Sequence, residues 1–313
     1  MADSMAVSAA AAVTRAPRTR RRVRFAPIIA TLPMIIISLS VFFVAILFTI
    51  YWSFTKSGMF PGWVWYGTRQ YEILWNTNNW QIAVSNIWLF GLASLAINLI
   101  VGFFLAVFMD QNIRQESLFR SIFLYPFAMS LYVTGLAWQW ILDPNLGLQN
   151  ALQNLGFTDF RFAPLGNPNQ AMIGLVLGGC WQGAGVTMAI LLAGIRSVDQ
   201  EIWKASKIDG IPTWRTYLFI VIPMMRGAVA TTLVLQVTGV IRTFDLVVSM
   251  TGGGPGIATW MPAMYVINAI QSKLNVGQGS AAATMMLAPI AVILAIGATV
   301  QWWNRRRAGM NAS

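Results

Sequence analysis

Arg242 and Asp245 stand three residues apart inside an otherwise apolar stretch. On a helix that spacing places them on one face, where they can pair. Charges within an apolar run usually face a bundle interior or a water-filled cavity. The pair therefore either fixes helix packing or borders a solute path, where an arginine would suit an anionic substituent. The same stretch carries Gln236 and Thr243, and others carry Tyr132, Trp138, Gln139, Trp181 and Gln182. Their amides, hydroxyls and rings can hydrogen-bond or stack on a polar solute, or tie helices together. The chain has no histidine and one cysteine, Cys180. That excludes Ser-His-Asp and Cys-His nucleophile systems, a disulfide framework, and zinc or haem held by histidine. An intramembrane enzyme would need a carboxylate pair or a Ser/Lys dyad, and the apolar runs offer one carboxylate, Asp245. A phosphate-binding Gly-x-x-x-x-Gly-Lys-Ser/Thr loop is missing from the sequence, so ATP has no recognisable site on this chain.

The elements that position these groups follow from composition. Hydrophobic residues make up 57% and charged residues 10% of the 313, against roughly 25% charged in soluble domains. Six apolar segments approach or exceed the roughly 20 residues needed to cross a bilayer as a helix. They run over about Pro27–Trp52, Ile82–Met109, Phe119–Leu142, Ala171–Ile195, Ala228–Met250 and Ser280–Trp303. The first is too long for the core of a cleaved signal peptide and reads as a retained helix. None alternates with period two, so a transmembrane β-barrel is not expected.

Charge sets the orientation. With six alternating helices and a cytoplasmic N-terminus, 16 of the 21 basic residues fall on the cytoplasmic side and four outside, a strong positive-inside bias. The N-terminal cluster Arg15–Arg24 and the closing Arg305–Arg307 flank apolar runs, as topology-setting charges do. This placement argues against a nucleic-acid-binding arm as the use of the net charge of +11. The expectation is an all-α polytopic membrane protein with six transmembrane helices and both termini cytoplasmic. Residues 1–26 form a basic cytoplasmic tail and residues 27–313 the membrane domain. Outside, the stretch after the first span is rich in tryptophan and tyrosine, as an aromatic belt against lipid or a docking surface would be. Asp143–Gln170 reads as a long loop with room for a short interfacial helix. Gly252-Gly253-Gly254-Pro255 ends the fifth span.

The inner stretch over about 196–227 is too polar to span the membrane and too patterned for a linker. Ile202, Ala205, Ile208 and Asp209 recur at helical spacing with charges opposite, and Gly210 with Pro212 closes the segment. A short amphipathic helix is expected here, able to lie on lipid or to insert into a partner's groove.

Here Lys204-Ala205-Ser206, Asp209-Gly210 and the tail Phe219 to Pro223 resemble the Glu-Ala-Ala motif in permease subunits of binding-protein-dependent ABC importers. Phe244-Asp245 followed by Thr251-Gly252-Gly253-Gly254-Pro255 is similar to the carbohydrate branch of that family, which includes maltose, glycerol-phosphate and α-glucoside permeases. The resemblance extends from about residue 27 to the C-terminus. It implies a type I importer permease fold in a bacterial inner membrane. It also implies a second permease, an ATPase dimer carrying ATP and magnesium, an extracytoplasmic solute-binding protein, and a sugar or glycoside substrate. This chain itself would hold no cofactor and no metal. The short helix would be the coupling helix, with Glu201, Lys204, Ala205, Ser206, Asp209 and Gly210 meeting the ATPase. Sugar contacts would lie near Gln182 and Gln236, with Tyr132, Arg242, Thr243 and Asp245 as further pathway residues. The family glutamate is replaced by Lys204, so either Glu201 supplies the carboxylate one turn earlier or Lys204 meets an acid on the ATPase. An ion-gradient-driven secondary transporter is the alternative, and it would leave the amphipathic inner loop without a role.

Overall fold

The computed structural model describes residues 25–111, 113–289 and 299. They divide into two units, one ending at Phe48 and one beginning at Thr49. The described part of the first is helical and belongs to α1 (Phe25–Ser53), whose side chains from Thr31 to Phe48 are exposed nearly throughout. Among the described residues regular structure is helical, apart from a single β-bridge between Thr55 and Trp65.

The second unit is organised around α7 (Ala171–Arg196). It packs along α3 (Asn78–Asp110) and also meets α4 (Glu116–Ala128), α5 (Leu131–Ile141), α11 (Arg226–Ile241) and α12 (Phe244–Met250). Residues of α3 explain the close fit: Asn86, Phe90, Ser94, Asn98, Gly102 and Ala106 are all buried and recur every fourth position. A four-residue repeat forms one ridge along a helix, and small or polar side chains on it let a second helix approach and hydrogen-bond. Opposite it, α7 contributes its own small residues. A Cβ added at Gly185 would lie 1.8 Å from the Phe123 carbonyl oxygen, so α4 and α7 touch almost backbone to backbone.

Among the described residues, three helices are long and apolar enough to cross a membrane: Thr31–Ser53, Asn78–Asp110 and Ala171–Arg196. Two bent pairs raise the number to five if each is one span. The third expected span, Phe119–Leu142, is one of them: α4 and α5 meet at 101°. Pro126 lies near the end of α4, where it removes a backbone donor. Ser130 then restarts the chain as an N-cap, its hydroxyl accepting from the Val133 amide at 3.3 Å. The fifth expected span also departs from a single helix. Helix α11 stops at Ile241 and α12 begins at Phe244, with Arg242 and Thr243 in the break. The sixth, Ser280–Trp303, is described as far as 289 within a helix, α14, over 276–289; the rest lies outside the described residues. The clusters Arg15–Arg24 and Arg305–Arg307 also lie outside them.

On one side of the bundle, backbone bonds from Lys56 to Val64 (2.9 Å) and from Tyr66 to Phe54 (2.7 Å) close a small hairpin. It leads to α2 (Arg69–Trp75). The long loop carries the short helix α6 (Leu148–Asn154). Beyond α12 comes α13 (Pro262–Ile267). On the other side, the inner stretch folds as α8 (Gln200–Ile208), then α9 (Thr213–Arg215), a π-helical stretch Thr216–Val221, and α10 (Ile222–Met224).

Candidate functional site

Helix α8 is fixed at both ends by its own sequence. At the start, Asp199 Oδ1 accepts from the Glu201 amide at 3.0 Å, satisfying one of the orphan donors of a first helical turn. At the end, Asp209 occupies the C-cap and Gly210 takes a left-handed φ of 68°. The Gly210 amide donates to Lys207 O at 3.2 Å and the Ile211 amide to Ser206 O at 3.0 Å. That is a complete Schellman closure, and the left-handed residue is one that glycine adopts without steric penalty. Asp209 thus acts through its backbone at the cap.

The faces of α8 differ from the sequence expectation. Ile202 and Trp203 pack on a core formed by Met188, Leu192, Ile195, Val221 and Met225. Ser206 is buried, its hydroxyl donating to Trp203 O at 3.0 Å. Trp203 meets Tyr217 edge-on at 5.1 Å, and Tyr217 meets Phe103 of α3 at 5.9 Å. So Ser206 belongs to the inward face, while Glu201, Lys204, Ala205, Asp209 and Gly210 are exposed. Ile208 points outward with 85% exposure, although it was expected on the same apolar face as Ile202. An isoleucine bared that far, on a helix where Ile202 and Trp203 pack inward, leaves an apolar contact surface open.

Immediately before α8, Arg196 ends α7 in an ionic cluster that the sequence reading did not single out. Its Nη1 and Nη2 grip both carboxylate oxygens of Glu116 at 2.8 and 3.0 Å. Its Nε donates to Asp110 Oδ1 at 3.3 Å, and Nη2 also reaches Met109 O at 3.2 Å. Arg120 adds a 2.6 Å contact to Glu116. One guanidinium therefore ties the end of α7 to the end of α3 and the start of α4, three residues before the Asp199 cap of α8. Two-point arginine–carboxylate geometry is the strong form of this interaction.

Midway along α7 a cavity of about 440 Å³ opens between α3, α7 and α11, within the size range of small-molecule sites. Apolar clusters close it off along α7, one around Leu175 and Val176 and the other around Met188 and Leu192. Of the expected pathway residues, Gln182, Gln236, Arg242 and Thr243 line it; Tyr132 and Asp245 do not. Gln182 Nε2 donates to Met129 O at 2.8 Å, satisfying a carbonyl freed by the bend between α4 and α5. Gln236 Nε2 donates to Thr187 Oγ1 at 2.5 Å, and Asn98 Nδ2 to Gln236 Oε1 at 3.3 Å. These amides join α3, α7, α11 and the bend. The Thr243 hydroxyl is turned onto the Val240 carbonyl.

Ser94 and Asn98 also line the cavity and were missed. Their readable signal was a serine and an asparagine four residues apart within an apolar run. Ser94 Oγ and Asn98 Oδ1 are buried with no hydrogen-bond partner. The expected Arg242–Asp245 pairing does not form. The two residues straddle the end of α11 and the start of α12 rather than sharing one helix, and neither enters an ion pair among the described residues. Both are exposed. A second cavity, of about 430 Å³, is walled by groups such as Trp80, Trp88, Val237, Met285 and Met286. Hydrocarbon and indole rings there offer little to a hydroxylated solute.

Comparison with known proteins bears on this architecture. Residues 98–307 match the family model described as "Binding-protein-dependent transport system inner membrane component". A Pyrococcus horikoshii protein named "Probable ABC transporter permease protein PH1215" is 34% identical over 263 residues, covering 83% of this chain and 90% of its own. The xylose/arabinose import permease protein XacH of Haloferax volcanii is 32% identical over 157 residues, about half of each chain. The fold is also that of a chain in a crystal structure of a bacterial alginate ABC transporter in complex with alginate pentasaccharide-bound periplasmic protein. There the TM-score is 0.74 at 18% identity, covering 87% of this chain and 93% of the other. With the capped inner helix, the apolar spans and the family match in agreement, the chain belongs to the inner-membrane permease components of binding-protein-dependent ABC transport systems.

Proposed function

We propose that this chain is the permease subunit of an ATP-driven importer that moves a sugar or glycoside across a bacterial inner membrane by alternating access. Six spans with both termini in the cytoplasm place α8 on the cytoplasmic side, as the positive-inside bias requires. A second permease, a dimer of ATPase subunits binding ATP and magnesium, and an extracytoplasmic binding protein complete the assembly. The observation that carries this reading is α8 itself, a helix capped at both ends whose bared Ile208, Ala205 and Lys204 form an exposed face. Such a face suits insertion into a partner's groove. The xylose/arabinose and alginate systems among the similar proteins support a carbohydrate cargo.

In this reading, closure of the ATPase dimer moves α8 as a rigid body. Arg196, Trp203 and Tyr217 pass the motion to α3, α4 and α7, whose rearrangement opens the cavity outward to receive cargo. Chemistry occurs on the partner subunit; this chain positions and gates. The test is co-purification of the ATPase with wild type, Gly210→Trp and Lys204→Glu, together with uptake in proteoliposomes. Wild-type uptake should stop with vanadate and survive a protonophore. Gly210→Trp should abolish ATPase recovery, and Lys204→Glu should retain it because shape and the capped turn dominate. Unchanged assembly and transport in both variants would remove α8 from its coupling role, and uptake that ignores vanadate but collapses with the protonophore would favour the ion-gradient alternative.

A further inference from the structure

We infer that the cavity between α3, α7 and α11 takes a solute with an anionic substituent, a carboxylate, sulfonate, sulfate or phosphate carried on the sugar, and that Arg242 recognises that group. The inference rests on the import reading above and narrows its substrate class. Among the described residues, Arg242 is the one ionic side chain in the cavity wall. Its guanidinium has no ion pair and no side-chain hydrogen bond among the described residues. The carboxylates that form ion pairs or cap helix α8 are engaged elsewhere, and Asp245 does not reach it. Glu72 holds Arg69, Asp110 and Glu116 hold Arg196, and Asp199 caps α8. Asp245 lies beyond the helix break and outside the wall.

Arg242 is exposed at the wall of an open cavity, so its guanidinium meets water until an anion replaces it, and charges within apolar runs characteristically face such cavities. The amide donors in the wall are partly engaged and uncharged. Gln182, Gln236 and Asn98 already direct their side-chain N–H groups at protein acceptors. Arg242 keeps a planar fork of donors, which matches the paired oxygens of a carboxylate or sulfonate. Ser94 and Asn98 add oxygens without partners. Buried polar atoms of this kind are normally satisfied, and a small opening of the wall would offer them to sugar hydroxyls. A neutral sugar would satisfy those oxygens and leave the arginine unanswered; an acidic one satisfies both.

The experiment uses the complete complex in proteoliposomes, with binding protein and ATP. The probes are labelled glucose-, galactose- and mannose-based disaccharides and the same disaccharides bearing a uronate carboxylate or a 6-sulfonate. At least one acidic probe should enter in an ATP-dependent manner. Arg242→Gln should lower its uptake about 10- to 100-fold, as expected for losing a charge-assisted hydrogen bond. Arg242→Lys should fall between, because charge is kept and the fork is lost. ATP-dependent uptake of neutral probes alone, or acidic uptake indifferent to Arg242→Gln, would overturn the inference and leave the import reading standing. Loss of the second permease from the purified Arg242→Gln complex would reassign Arg242 to the subunit interface, which also overturns it. ATP-dependent uptake of no probe would bring down the import reading, and the inference with it.

Discussion

Arg196 and Arg242 are the same residue type in opposite circumstances. Arg196 ends a long helix among two carboxylates and a backbone carbonyl, each within 3.3 Å. Arg242 ends a helix with no such neighbour among the described residues. The first joins three elements of its own chain. The second is left for something the chain does not supply. An arginine whose nitrogens are engaged by its own chain reports on architecture, whereas an exposed one with its donors open at a cavity wall reports on what the cavity receives.

The largest expected effect concerns the scaffold both arginines depend on. Gly185→Ala would drive a methyl against the Phe123 carbonyl, where the calculated approach is 1.8 Å. Separating α4 from α7 should destabilise the fold by about 3 kcal/mol or more. The readout is expression and thermal unfolding in detergent, and normal yield with an unshifted midpoint would show that the contact is looser than described. Next comes Arg196→Met. Breaking a fully buried pair costs about 3–5 kcal/mol, but Arg196, Asp110 and Glu116 are 40%, 27% and 30% exposed and partly screened. A fall in the unfolding midpoint well short of that at Gly185 is therefore expected, with ATPase activity no longer stimulated by loaded binding protein. Unaltered stimulation would show that α8 communicates by another route.

A more local effect, confined to one helix end, is expected at Gly210. Alanine must adopt the left-handed conformation at a penalty of about 1–2 kcal/mol, so Gly210→Ala should fray the end of α8 and weaken ATPase recovery. Asparagine, which tolerates that conformation, should restore much of it. Equal behaviour of the two variants would mean the cap is unimportant. The smallest is Arg242→Gln on stability. With no partner to lose, the unfolding midpoint should stay within experimental scatter of wild type. A fall matching that of Arg196→Met would place Arg242 in a structural ion pair and erase the contrast between the two.

Much of this architecture was legible because its signals are local. Apolar length marked the spans, and Gly210 with Pro212 marked the end of α8 because left-handed φ and a missing donor are properties of single residues. The bend between α4 and α5 had a visible warning in Pro126, outweighed by the apolar run around it. What stayed hidden depends on which surfaces meet. Ser206 and Ile208 lie two residues apart on one amphipathic helix, and only the position of the core beneath α8 decides which is covered. Arg196 looked like one more inner-loop charge until Asp110 and Glu116, 86 and 80 residues earlier, arrived beside it. The break at Arg242 and Thr243 carries no proline, so the apolar run read as one continuous helix.

Only Ser197 and Val198 separate Arg196 from Asp199, the residue that opens α8. A linker of two residues reaches at most about 7 Å when fully extended, and here Val198 is itself buried. Such a joint has almost no slack. A push on α8 cannot be absorbed before it arrives at the crossroads of α3, α4 and α7, so the delay between a nucleotide event and the first shift of the bundle should be set by the bundle's own stiffness. Lengthening the joint with one glycine would act like a loosened gear: hydrolysis would continue while delivery lagged behind it.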